Sequence, residues 1–271
     1  MITCDVIGAA PANPGLGNQL FTIAATVSLA LDNDDIAVFP DLLHPPYRFY
    51  GETIFHKLNH GVDKSFVKYL YQEEPYTSTI FNKIPYIDNL CIRGYFQSYK
   101  YFYHNLEKIK ELFVMPQEIL DTIDKKYNSV FSFNNSVSLH VRRGDYVEMS
   151  DKYASLGDIY YSNALSEIED YSKVIVFSDD INWCRKEFLV DHQDRQRFEF
   201  IDGELDVTDL YLMSRIKNNI IANSTFSWWG AMLNKNEDKK IIAPWDWFGP
   251  NRVKDNRSET IDLIPTEWKR I

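Results

Sequence analysis

The sequence predicts an α/β fold built on mainly parallel sheets. Short apolar runs alternate with helix-compatible segments in both halves of the chain, the pattern of strand–helix–strand units. One of these runs, Ser136–Val141, leads directly into two arginines, a glycine and an aspartate. In an open parallel sheet the carboxyl ends of the strands are where ligands bind. No internal repeat and no low-complexity segment interrupts the alternation.

Taken in order, Ile2–Ile7 reads as the first strand. A loop at Ala9–Pro14 follows, and then GLGNQLF from Gly15 to Phe21 opens a helix of apolar and small residues that reaches Leu31. Glycines at a strand-to-helix turn allow close backbone approach to a ligand, and a helix N-terminus favours an anion. Gly15, Gly17 and Asn18 are the candidates there, although a simple tight turn fits the same residues. The dinucleotide fingerprint is absent, since Leu20 stands at the place of its third glycine. Asp32-Asn33-Asp34 has the spacing of a metal-binding Asp-x-Asp. Its place at a helix end, ahead of the expected strand Ile36–Phe39, favours a solvated helix terminus instead. Leu43–Asp88 is rich in Pro, Tyr and Phe and gives no clear periodicity.

Cys91–Phe102 begins as a strand and breaks at Gly94. Leu106–Phe113 and Ile119–Tyr127 read as helices on either side of Pro116. The polar stretch Asn128–Asn135 marks a domain boundary, giving domains 1–130 and 131–271. Val137, Leu139 and Val141 then alternate with Ser136, Ser138 and His140 in a buried strand. Tyr160–Tyr171 has helical spacing. Val174–Phe177 is an apolar strand ending in Ser178-Asp179-Asp180, with Trp183 in the next helix. Asp179 and Asp180 are ligand candidates and equally good helix N-caps. Phe198–Ile201 is a further strand, Asp209–Ser214 a helix, and Ile220-Ile221 opens a strand that runs into NSTFSWWGA. Hydroxyls and amides at that turn make a second anion cradle, and Trp229 reads as core. Ile241–Ala243 is the last strand, with a mixed tail wrapping back over the fold.

Arg142 and Arg143 offer forked donors matched to phosphate oxygens. Gly144 permits a sharp turn, and Asp145 sets a carboxylate beside them. These residues fit a sugar-diphosphate pocket with an acid/base group, and they fit a surface Arg–Asp pair equally well. Arg143-Gly144-Asp145 also spells an integrin signal, set aside because it follows an apolar strand.

Composition narrows the classes. The chain has 271 residues, 45% hydrophobic and 25% charged, as in an ordinary soluble globular protein of one large or two ordinary domains. An aromatic share of 15% suits carbohydrate handling. A net charge of −10 argues against a general nucleic-acid or anionic-membrane binder, so a basic phosphate site must be local. Cys4, Cys91 and Cys184 are odd in number and lack metal-ligand spacing, as free thiols of a reducing compartment do. The opening MITCDVIGAA has no basic segment and is too short for a signal peptide. No run is long enough to span a bilayer. The expectation is a soluble cytoplasmic protein, in which the sequons at Asn134, Asn223 and Asn256 carry no weight.

GLGNQLF, GYFQSYKYF (Gly94–Phe102), HVRRGDYV (His140–Val147), FSDD before Trp183, and DLYLMS leading to IIANSTFSWWGAML stand in one order along nearly the whole chain. As an ordered set they resemble the α1,2-fucosyltransferases of glycosyltransferase family 11. The resemblance implies a GT-B type fold, two Rossmann-like domains facing across a cleft, with GDP-β-L-fucose held mainly by the second. It implies inverting transfer of fucose to the 2-hydroxyl of a terminal galactoside, with no divalent metal or other cofactor. Arg142 is then the diphosphate ligand, supported by Arg143, while His140 and Asp209 contact guanosine. Ser224, Thr225, Phe226 and Ser227 form the second phosphate contact, with Asp179, Gly15 and Gly17 also on the donor. Asn18 is expected near the transferred sugar. Asp145 is the candidate general base, with Glu148 and Asp151 as alternatives, and could instead orient Arg143. The implied partners are GDP-fucose and a galactose-terminated glycan, with peripheral membrane association if the acceptor is lipid-linked. The lengthened turn at Ala9–Pro14 departs from the family, and the Pro/Tyr-rich region before Asp88 matches it poorly. A different linkage within the superfamily, or a silent GDP/glycan binder, fits the same motifs.

Overall fold

A computed structural model describes residues 1–5, 15–44, 46–74, 78–252 and 255–271. The Ala9–Pro14 insertion and the end of the expected first strand lie outside the described residues. The chain divides into two compact units, Met1–Thr122 with Ile261–Leu263, and Ile123–Thr260 with Ile264–Ile271. The division falls within the helix Gln117–Lys126.

The first unit is built on three parallel strands, β1 (Ile2–Cys4), β2 (Tyr69–Gln72) and β3 (Leu90–Arg93), in the order β1-β3-β2. Against β1 lies the helix Leu16–Leu31, whose small and apolar residues are buried on nearly every side, including Thr22, Thr26 and Ser28. A helix buried all round must satisfy its own hydroxyls, and Thr26 Oγ1 donates to the Thr22 carbonyl at 2.7 Å. Ile36–Phe39 is not a strand: only Ala37 bridges Ile2. The chain there turns directly after the helix, and the edge of β1 is met by one residue pair. β2 falls within the stretch that lacks periodicity, because it is an edge strand with Tyr69 and Leu70 exposed.

The second unit carries six parallel strands: β4 (Ser136–Val141), β5 (Lys173–Ser178), β6 (Phe198–Phe200), β7 (Asn218–Ile220), β8 (Ile241–Ala243) and β9 (Lys269–Arg270). Their order is β6-β5-β4-β7-β8-β9. Successive strands step outward on one side of β4, then on the other, so the direction of winding reverses between β4 and β7. All six residues of β4 are buried, as a central parallel strand covered on both faces requires. Val137, Leu139 and Val141 join a core with Tyr161, Leu165, Val174, Val176 and Phe188. The opposite face carries Ser136, Ser138 and His140, and Asn219 Nδ2 donates to Ser138 Oγ at 2.7 Å. Trp228 and Trp229 are fully buried in the helix Thr225–Met232. All three cysteines are buried free thiols.

Candidate active site at the β4–β7 switch point

A sheet that reverses its winding leaves a crevice outside the carboxyl ends of the two strands at the reversal. In the second unit those ends carry Arg142–Asp145 after β4 and Asn223–Ser227 after β7. Parallel pairing of β4 with β5, Val141 beside Ser178, brings Asp179 and Asp180 to the same edge.

The two arginines are held differently. Arg142 Nη1 pairs with Asp179 Oδ2 at 2.8 Å, and Nη2 pairs with Asp145. Its guanidinium also lies 5.0 Å from the Tyr146 ring centroid. Arg143 donates its backbone N–H to Asp179 Oδ1 at 2.9 Å, and its Nε to Asp180 Oδ2 at 3.3 Å. Its guanidinium sits 3.5 Å from the Trp183 centroid, a close cation–π contact. Asp179 thus binds one arginine through the side chain and the other through the backbone. Asp180 is the N-cap of the helix Ile181–Lys186, accepting from the Trp183 N–H at 3.2 Å. Gly144 is fixed by both conformation and space: its φ is +23°, and a Cβ there would stand 2.4 Å from Asp179 Oδ2.

Ser224 N-caps the helix Thr225–Met232, accepting from the Phe226 N–H at 3.3 Å. Ser227 is buried, and its hydroxyl donates to the Ser224 carbonyl at 3.4 Å. The turn is anchored from behind by Asn223 Nδ2, which donates to the carbonyls of Ala154 and Trp247, both at 2.9 Å. Its oriented N–H groups and helix dipole suit an anion.

His140 Nδ1 and Asp209 Oδ1 are among the buried atoms of this unit with no hydrogen-bond partner among the described residues; Arg270 Nε is another. His140 belongs to β4 and meets the Phe226 ring edge-on at 5.6 Å. Burial, reinforced by the charge of Arg142, pushes its pKa down to about 3, so the imidazole is neutral. Asp209 lies in the helix Asp206–Arg215. Burial, with the acids Glu204 and Asp206 nearby, pushes its pKa up to about 7. Buried polar atoms are almost always paired, so His140 and Asp209, both singled out by the sequence, are candidates to meet a ligand.

Among the other predicted residues, Asp145 is half-exposed and paired with Arg142 rather than Arg143. Gly15, Gly17 and Asn18 belong to the first unit. Gly15 is the N-cap residue of the helix Leu16–Leu31, within which Gly17 and Asn18 lie. Asn18 Oδ1 accepts from Gln97 Nε2 at 2.9 Å, so the GLGNQ and GYFQ motifs meet. Asp32 C-caps that helix and accepts from His104 Nε2 and Asn105 Nδ2, at 2.9 and 2.8 Å. The aromatic partners Tyr146 and Trp183 carry no signal of this role in the sequence. Their contacts come from helical turns that begin beside the arginines.

The family model for glycosyl transferase family 11 matches residues 38–269. An α1,2-colitosyltransferase of Escherichia coli is 31% identical over 95% of this chain and 96% of its own length. The O-antigen biosynthesis glycosyltransferase WbnK of the same species is 37% identical over 64% of this chain and 60% of its own. A galactoside 2-α-L-fucosyltransferase of Caenorhabditis elegans is 29% identical over 67% of this chain and 53% of its own. Among solved structures, the fucosyltransferase NodZ from Bradyrhizobium superposes with a TM-score of 0.54 at 14% identity, over 84% of this chain and 91% of that one. That likeness shows the fold, the GT-B type of α/β architecture. With the family model covering most of the sequence, the chain belongs to glycosyl transferase family 11.

Proposed function

We propose that this protein transfers L-fucose from GDP-β-L-fucose to the 2-hydroxyl of a terminal galactoside, with inversion and without a divalent metal. The observation that carries the reading is the arrangement at the β4–β7 edge, a doubly held arginine beside an oriented helix N-terminus, in a unit that also holds the unmatched buried atoms His140 Nδ1 and Asp209 Oδ1. The guanine N–H edge supplies donors for the Asp209 carboxylate, and neutral His140 completes the base contact. The diphosphate lies against Arg142 and the Ser224–Ser227 turn.

In the transfer, the acceptor 2-oxygen forms a bond to the anomeric carbon as the bond to the β-phosphate oxygen breaks. The electron pair leaves with GDP, so negative charge grows on the diphosphate. Arg142 and the Ser224 turn meet that growing charge and therefore favour the transition state over the bound substrate. Asp179 keeps Arg142 aimed. An arriving phosphate competes with Asp145 for Arg142 Nη2, and the carboxylate it releases is the base that takes the acceptor proton. Asn18 is assigned to the neighbourhood of the transferred sugar.

The similarity to a colitosyltransferase over 95% of the chain favours a second reading, in which the sugar is colitose, the 3-deoxy counterpart of fucose. The acceptor is a galactose-terminated glycan, and the resemblance to an O-antigen glycosyltransferase supports a bacterial surface glycan carried on lipid. The test is GDP release from GDP-fucose and from GDP-colitose, each with chelator present, with and without lactose or N-acetyllactosamine. Acceptor-stimulated release and an α1,2 linkage in the product support the transferase, and the preferred donor separates the two sugars. GDP binding with no release from either donor points to a silent binder.

A further inference from the structure

A groove of about 860 Å³ lies in the second unit, next to the phosphate site and outside the residues assigned to the donor. Its walls include Ser155, Trp245, Asp246, Phe248, Asp255 and Arg257. The volume falls in the upper part of the roughly 300–1,000 Å³ range of ligand sites. One wall is the chain leading into the helix Asp158–Ser166, and the other is the chain leaving β8. The two are laced together: the Gly249 N–H donates to the Lys152 carbonyl at 2.8 Å, and the Asn251 N–H to the Asp151 carbonyl at 3.0 Å. A Cβ on Gly249 would stand 2.5 Å from the Asp151 carbonyl oxygen, so the backbones touch. The Asn256 side chain braces the second wall. It accepts the Trp247 and Phe248 N–H groups at 3.1 and 2.8 Å and donates to the Phe248 carbonyl at 2.8 Å. The Arg270 guanidinium lies 4.4 Å from a Trp245 ring centroid and donates to the Trp245 carbonyl at 3.1 Å. The groove is therefore built by the fold itself, which lowers the cost of ordering it around a ligand.

Its place and its chemistry point to one kind of occupant. Asn223 anchors the Ser224 turn by donating to Ala154 and Trp247, one carbonyl from each wall. Tyr153 stacks on Tyr146 at 4.0 Å, and Tyr146 in turn faces Arg142. The helix Asp158–Ser166 packs on the face of the sheet that carries Val137, Leu139 and Val141. His140 meets Phe226 on the other face, where Asn219 also donates to the Met213 carbonyl of the Asp209 helix. The groove and the base contacts thus lie on opposite faces, with Arg142 at the strand ends between them. Trp245 and Phe248 offer apolar rings to the C–H faces of sugars, and Asp246 and Asp255 are acceptors for hydroxyls. Two carboxylates against one arginine, itself 4.5 Å from the Trp245 ring, disfavour a phosphate. We infer that the groove holds the acceptor, taking the sugars of a neutral oligosaccharide beyond its reacting galactose. This deepens the proposed transfer and rests on it. Acceptor choice is then written partly into the unit that binds the donor.

The experiment uses Ser155→Trp, which fills the groove from an exposed position, and Asp246→Asn, which removes only a charge. Each is compared with wild type for transfer to methyl β-galactoside and to a galactose-terminated tetrasaccharide. Donor KM, GDP affinity and thermal unfolding are read alongside, and calorimetry measures tetrasaccharide binding to the GDP-loaded protein. Wild type is expected to prefer the tetrasaccharide in kcat/KM. Ser155→Trp should cut that preference about tenfold or more and Asp246→Asn about threefold or more, with GDP affinity within about twofold of wild type. A preference unchanged in Ser155→Trp, a loss shared equally by both acceptors, or a weakened GDP affinity overturns the inference. If Ser155→Trp fails to fold, Asp246→Asn decides by the same readings. Should wild type transfer to neither galactoside, the transferase reading fails by itself, and calorimetry decides the groove. Tetrasaccharide bound by wild type and lost in Ser155→Trp supports the site; binding equal in the two, or absent from both, overturns it.

Discussion

Asp209 makes the reading of the base site quantitative. Its carboxyl is raised from an ordinary 3.8 to about 7, first by burial and then by the charges of Glu204 and Asp206. A shift of this size corresponds to roughly 4 kcal/mol of preference for the protonated form in the fold. The sign follows from proton counting: between pH 4 and 7 the folded chain holds a proton that the unfolded chain has lost. Asp209 therefore stabilises the fold most below pH 4, and that contribution is lost as pH rises through 7. Two donors on guanine need the ionised form, so GDP binding must work against this preference at acid pH. At pH 6 about a tenth of the sites are ionised. GDP affinity should thus be about tenfold weaker there than on its plateau above pH 8. Asp209→Asn offers one acceptor instead of two and no charge. It should unfold at a higher temperature than wild type at pH 8, bind GDP at least tenfold more weakly there, and lose most of the pH dependence. Calorimetric titration of both proteins from pH 5.5 to 8.5 tests this, because titration of the GDP phosphate is common to both and cancels. Parallel pH profiles for the two proteins, or Asp209→Asn unfolding earlier at pH 8, would refute the argument.

Arg142→Ala should reduce transfer by about 10²–10³-fold, and Arg142→Lys should restore little of it, since an ammonium cannot bridge Asp179 and a phosphate in one plane; steady-state kinetics on the preferred donor reads both. Asp145→Asn tests the proton acceptor: kcat should fall while GDP affinity stays constant or improves, because a competitor for Arg142 has been weakened, and unchanged kcat would remove Asp145 from that role. Asp32→Ala should leave transfer, with or without chelator, within about twofold of wild type, and should cost roughly 1 kcal/mol in a denaturant melt through loss of the contacts to His104 and Asn105.

The parts of this molecule that sequence makes legible are those whose cause is local. β4 is readable because Val137, Leu139 and Val141 repeat at the period of a strand, although the burial of its other face, with Ser136, Ser138 and His140, is set by the layers packed on both sides. The helix after GLGNQ is readable from its run of apolar and small residues. β2 is exposed at a sheet edge and β9 is two residues long, so neither has a burial pattern to announce it. The site divides along the same line. Two arginines at a strand end are visible as chemistry, but the choice of partners for them is a matter of register: Asp179 reaches Arg142 because β5 lies beside β4. Gln97 reaches Asn18 across 79 positions of sequence. An unmatched atom is the extreme case. His140 and Asp209 could be suspected from motif order, yet the same residue types sit satisfied in most folds. What distinguishes them is that every neighbour packed around them fails to bond one particular atom, a property of the assembled fold that no residue in the sequence carries by itself.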